Sequence, residues 1–178
     1  MRKLNGIITA AVIVLFVIHA LAGSYQMAGV GQSALKPVAW TAAGLVFAHI
    51  VISIILTARS IKVWRRTGVG YFKENKLFWA RRISGAAVIF LLLIHMFAIG
   101  TKVNGVFRLQ EFNTPKLVIQ ILFVSALAVH VISNVRPLLI TFGIKSFKSR
   151  ISEIIIILSV LFAVMGLAFV IYWLRWNG

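Results

Sequence analysis

The chain has 178 residues, 61% hydrophobic and only 12% charged, and its 19 Lys and Arg against three acidic residues give a net charge of +16. Its apolar residues run in stretches of about twenty, the length that crosses roughly 30 Å of hydrocarbon, which excludes a water-soluble enzyme. The cations collect at the ends of those stretches, which argues for a membrane topology signal and against a nucleic-acid-binding arm. Cysteine is absent, excluding disulfides, iron–sulfur ligation by this chain and thioether attachment of a prosthetic group.

Five spans are predicted in chain order, Gly6–Ala22, Val38–Ala58, Ile83–Gly100, Leu117–Val135 and Ile151–Leu174. Backbone groups in lipid must be satisfied within each segment, so the spans are helices. The expected fold is an all-α membrane protein, a five-transmembrane-helix bundle forming a single domain over residues 1–178. Residues 1–22 share the outline of a secretory signal, with Ala20-Leu21-Ala22 as a cleavage-like triplet. The apolar run is long for a signal, so it is expected to remain as the first transmembrane helix.

The outer connection from Gly23 to Lys36 is rich in small residues, and Trp40 then stands as an aromatic anchor at the outer interface. The second helix carries His49. The inner connection that follows, 59–82, holds eight cations together with Trp64, Tyr71, Phe72 and Trp79. The third helix opens with Arg81-Arg82-Ile83-Ser84-Gly85, an outline that loosely repeats Arg2-Lys3-Leu4-Asn5-Gly6 of the first. A second outer connection, 101–116, contains Glu111 and ends at Pro115, a suitable helix start. The fourth helix carries His130, then Asn134, Arg136 and Pro137; the fifth opens near Glu153 and ends with Tyr172, Trp173 and Trp176 as outer anchors.

Fourteen of the nineteen cations lie on one side: Arg2 and Lys3, the eight of 59–82, and Arg136, Lys145, Lys148 and Arg150. The positive-inside rule puts that side, with the N-terminus, in the cytoplasm and the C-terminus outside, in a cell inner membrane.

The chain has four histidines, His19, His49, His95 and His130, one in each of the first four spans and none in the fifth. An ionisable side chain at membrane depth is costly and marks function by default. Counted at about 1.5 Å per residue from the inner edge, His19 and His95 form an outer pair and His49 and His130 an inner pair. Four imidazoles on four helices, matched in depth two by two, read as axial ligands of two b-type haems. Zinc fits less well, because its sites gather their ligands at one point, often with carboxylate or thiolate. Gly23, Ser53 and Asn134 each lie four residues beyond a histidine, and Ser84 lies eleven before His95, so these small or polar residues share the ligand faces. Ser84, Gly85, Ser53 and Asn134 are therefore candidates for the haem environment.

With these residues in place, the chain resembles the dihaem cytochrome b membrane anchors of succinate:quinone oxidoreductases and quinol:fumarate reductases. The likeness covers most of the chain: five helices, N-terminus inside, and one histidine on each of the first four. Its local pieces are Arg82-Ile83-Ser84-Gly85 with His95, similar to that family's Arg-x-Ser/Thr-Gly opening of the third helix, and His130-x-x-x-Asn134 followed by Phe142-Gly143-Ile144. The resemblance implies that His19 and His95 hold the outer haem and His49 and His130 the inner one. It also implies a flavoprotein subunit and an iron–sulfur subunit as partners, and electron transfer to or from a quinone, menaquinone in the dihaem members. One departure is that no carboxylate lies deep within a span; Ala128 and Val129 precede His130. Glu111, the one outer acid, is the candidate acceptor for quinol protons. The competing readings are a cytochrome b subunit of a formate dehydrogenase, hydrogenase or b561-like protein, and a transporter or plain anchor without redox function.

Overall fold

The computed structural model describes residues 1–30, 36–68, 76–104, 106–144 and 148–178. Tyr71, Phe72, Lys73, Glu74 and Lys145, and the side chains of Lys148 and Arg150, lie outside the described part. The elements are α1 (Arg2–Ala28), α2 (Lys36–Thr67), α3 (Lys76–Ala98), β1 (Gly100–Val103), β2 (Val106–Leu109), α4 (Thr114–Thr141) and α5 (Lys148–Asn177). All five helices are long and apolar enough to cross a membrane, so the chain is an all-helical, multi-pass membrane protein. Large apolar side chains such as Val14, Phe47, Phe90, Phe97 and Ile157 point outward, the surface expected of helices solvated by lipid.

Each helix runs beyond the apolar stretch that predicts it at one end or both, although α3 stops at Ala98, short of the predicted Gly100, which opens β1. Hydropathy marks only the part in hydrocarbon, whereas the backbone ladder continues into polar residues for as long as it satisfies their amides. The largest extension is that of α2, whose 32 residues reach Thr67 and measure about 48 Å. On α4 the helix passes through Pro137 instead of ending at Val135. A proline interrupts one backbone bond there, and Thr141 Oγ1 donates to the Pro137 carbonyl at 2.9 Å.

α1 packs on α2 and α5, α4 packs on α3 and α5, and α1 also touches α4. Among the described residues α1 and α3, α2 and α4, and α2 and α3 make no comparable contact. The first four helices thus surround a centre across whose diagonals α1 faces α3 and α2 faces α4, with the α2–α3 side open.

The outer end is tied down by a β-hairpin that the sequence reading treats as plain connection. β1 and β2 pair antiparallel, with Val103 opposite Val106, and Asn104 takes φ 51° at the turn, a conformation asparagine tolerates better than most residues. Gln110 holds the hairpin to the helices: its backbone N–H donates to Ile99 O at 3.2 Å, its Nε2 to Phe97 O at 2.9 Å, and its carbonyl accepts from Tyr172 Oη at 2.7 Å. Tyr172 is therefore a correction. It is buried against Phe112 at a ring distance of 4.9 Å and is no interfacial anchor, although Trp176 is exposed as expected. Phe112, Phe162, Phe169 and Tyr172 form the core at this end.

Helix ends explain the remaining joints. Asn113 caps α4 by accepting from Lys116 N at 3.2 Å, with Pro115 in the first turn, where its missing N–H costs nothing. α1 runs past Gly23 and stops at Gly29, in the left-handed region at φ 83°. There Arg175 of α5 donates to Met27 O at 2.8 Å, a cation placed at the negative end of α1.

Candidate functional site

The diagonal arrangement brings the four histidines together as two pairs. His19 on α1 faces His95 on α3 with ring centres 6.3 Å apart and planes at 85°. His49 on α2 faces His130 on α4 with ring centres 6.5 Å apart and planes at 77°. Two metal–imidazole bonds of about 2 Å and two ring radii of about 1 Å would put the centres of trans imidazoles roughly 6 Å apart, so each pair is spaced to bind one iron from opposite sides. Among the described residues no three metal-ligating side chains gather at one point.

A metal-binding imidazole uses one nitrogen and usually donates through the other, so the partner of the second nitrogen fixes the tautomer. His95 Nδ1–H donates to Gln120 Oε1 at 2.8 Å. His49 Nδ1 lies 3.0 Å from Thr9 Oγ1; that hydroxyl spends its own proton on Asn5 O at 2.7 Å, so it accepts from the histidine. His130 Nδ1 lies 3.4 Å from Ser84 Oγ, whose proton goes to Ala80 O at 2.6 Å. In all three rings Nδ1 is the engaged nitrogen, which leaves the lone pair on Nε2.

Two glycines shape the surroundings. A Cβ on Gly85 would stand 3.1 Å from His130 Cε1, tighter than ordinary contact, so a side chain there would push the ring from its place. Gly23, one turn beyond His19, is half-buried, and a Cβ on it would meet nothing within 4 Å. Phe123 stacks on the His95 ring at 5.0 Å and Phe169 meets it edge-on at 6.4 Å, fixing its plane. The residues present fit two bis-histidine haems.

The other sequence candidates divide. Ser84 and Gly85 touch His130. Ser53 Oγ is 3.4 Å from His49 Nε2, a long contact to the very nitrogen a metal would take. Asn134 Nδ2 donates to the His130 backbone carbonyl at 2.7 Å, steadying the helix rather than touching the ring. Glu111 is exposed at the start of the α4 connection, where its backbone carbonyl accepts from Lys116 Nζ at 2.6 Å; it is not among the groups that contact either pair. Thr9 and Gln120 are the histidine partners that the sequence alone does not single out, and the signal for them is a polar side chain standing inside an apolar run. Comparison of the chain with protein-family models, curated proteins and solved structures finds no match.

Proposed function

We propose that this chain is the membrane anchor and electron-transfer subunit of a succinate dehydrogenase/fumarate reductase-type complex, passing electrons between a quinone and a partner iron–sulfur subunit through two bis-histidine b haems. The observation that carries the reading is the pair of diagonal histidine contacts at 6.3 and 6.5 Å with Nδ1 engaged on three of the four rings. Bound there, each haem supplies a one-electron carrier whose potential follows its axial ligands and their hydrogen bonds.

The chain's own part is to hold and orient. His19 with His95, and His49 with His130, would hold the two haems; Thr9, Gln120 and Ser84 would set the tautomers of the rings they meet, and Gly85 and Gly23 would leave room. The Phe112–Phe169–Tyr172 core and the hairpin close the outer end over the outer pair. The basic inner side, including Arg59, Lys62, Arg65 and Arg66 on the end of α2, faces the cytoplasm, where it meets anionic lipid and the iron–sulfur and flavoprotein subunits. The electron partner on the membrane side would be a quinone, menaquinone by resemblance.

The test is purification from native membranes with haem quantification and identification of copurifying subunits. Two haem b per chain together with a flavin-carrying and an iron–sulfur subunit is the expected result. Haem without those partners would move the chain to another membrane oxidoreductase, and no haem would overturn the reading. Replacing His95 with Ala is expected to remove one haem of the two.

A further inference from the structure

Gln120 sits fully buried on α4, with 0% of its surface exposed. Its Oε1 accepts from His95 Nδ1 at 2.8 Å, and its Nε2 is buried with no hydrogen-bond partner among the described residues. An orphaned amide in such a place is a standing cost. An apolar side chain of similar length would be buried there without that cost, since the His95 ring it meets is itself packed on Phe123 and Phe169. What the glutamine alone provides is an acceptor for His95.

That acceptor stands closer than the side-chain acceptors of the inner pair. His49 meets a hydroxyl oxygen at 3.0 Å, and His130 meets one at 3.4 Å beside the Arg81 backbone, while His95 meets a side-chain amide carbonyl at 2.8 Å. A shorter bond to a more polar acceptor draws the Nδ1 proton further from the ring and leaves more electron density at Nε2. A more basic axial ligand favours the ferric over the ferrous iron, because it stabilises the higher charge.

We propose that Gln120 is a positioning residue for the outer haem: through His95 it fixes the ligand tautomer and holds the reduction potential of that haem below the value it would otherwise have. The inference rests on the haem reading given above. Gln120 touches neither iron nor quinone and acts only through the imidazole.

The test is a redox titration of the purified complex followed by haem absorbance, with ferric low-spin electron paramagnetic resonance recorded on the same samples. The outer component is assigned as the one missing from H95A. In Q120L the outer potential rises and its resonance shifts, while the inner component stays put. Q120N gives a shift smaller than that of Q120L. Retention of both haems in Q120L and Q120N with the outer potential and resonance unchanged would overturn the proposal. So would loss of haem from Q120L alongside an unshifted outer component in Q120N. A wild-type complex containing no haem would instead overturn the underlying reading, and the two failures are told apart by the haem content of the unmutated protein.

Discussion

The His130 ring lies over Gly85 so closely that a Cβ on the glycine would come within 3.1 Å of His130 Cε1 and 3.3 Å of Nδ1. The neighbouring Ser84 Oγ accepts from that same Nδ1, so two consecutive residues of α3 seat one imidazole of α4. Gly85→Val puts a branched side chain where the ring stands, and the ring must turn away from His49 or the helices must part. The expected outcome is loss of the inner haem with the outer one retained, read as a haem content falling from two per chain to one. Equal loss of both haems would show that the contact supports the bundle as a whole and not the inner pair.

Thr9→Val tests the inner pair by chemistry rather than by volume. Valine keeps the shape of threonine and removes the oxygen that accepts from His49 Nδ1. Loss of such an outer partner typically weakens metal binding about 10–100-fold. The inner haem is expected to wash out of the variant during purification or at haem limitation, while detergent stability of the helices changes little. Full haem content under limiting haem would contradict the tautomer argument.

The imidazole planes of the two pairs cross at 85° and 77°. Crossed planes direct their π-donation along different iron orbitals, which leaves those orbitals close in energy and makes a ferric low-spin centre strongly anisotropic. Both haems are therefore expected to give that type of paramagnetic resonance, and a rhombic spectrum of the parallel-plane type would show that the rings turn when haem binds.

Legibility in the sequence followed the physics of each feature. The five helices were plain because each carries a run of about twenty apolar residues, which only a span explains. Their ends were not, since α2 continues to Thr67 through residues that hydropathy assigns to a loop. The depth of the four histidines was readable from counting, and the pairs it suggests are those the helices bring face to face. Gln120 opposite His95 was not, because sequence spacing fixes a face within one helix and says nothing of which residue a neighbouring helix turns towards it. The hairpin did carry a signal, Asn104-Gly105 between Val103 and Val106, the pair that favours a two-residue turn. Missing it also misplaced Tyr172, an aromatic near a helix end that the hairpin carbonyl of Gln110 draws inward.

Tyr172→Phe isolates that tie. The ring would still pack on Phe112, but the bond from Oη to Gln110 O at 2.7 Å would be gone. A hydrogen bond of this kind contributes about 1 kcal/mol net, more if the freed carbonyl stays dry. A lower Tm in detergent is expected, with haem content unchanged, because the bond holds the hairpin and not a histidine. An unchanged Tm would show that water replaces the hydroxyl at no cost.

The orientation of the chain can be tested through its lack of cysteine. A single introduced thiol is the only one present, so labelling reports one position without background. Lys62 lies on the part of α2 that continues towards Thr67, within a helix of about 48 Å against a hydrocarbon layer of about 30 Å. Together with Arg59, Arg65 and Arg66 it stands on the side that carries most of the cations, which the positive-inside rule assigns to the cytoplasm. Glu111 is exposed at the opposite end, after the hairpin. An impermeant maleimide applied to right-side-out vesicles is expected to label E111C and spare K62C, and inverted vesicles are expected to reverse the pattern. The opposite pattern would place the basic surface outside and remove the proposed docking side for an iron–sulfur partner. Labelling of both positions from one side would contradict the single crossing by α3 that separates them.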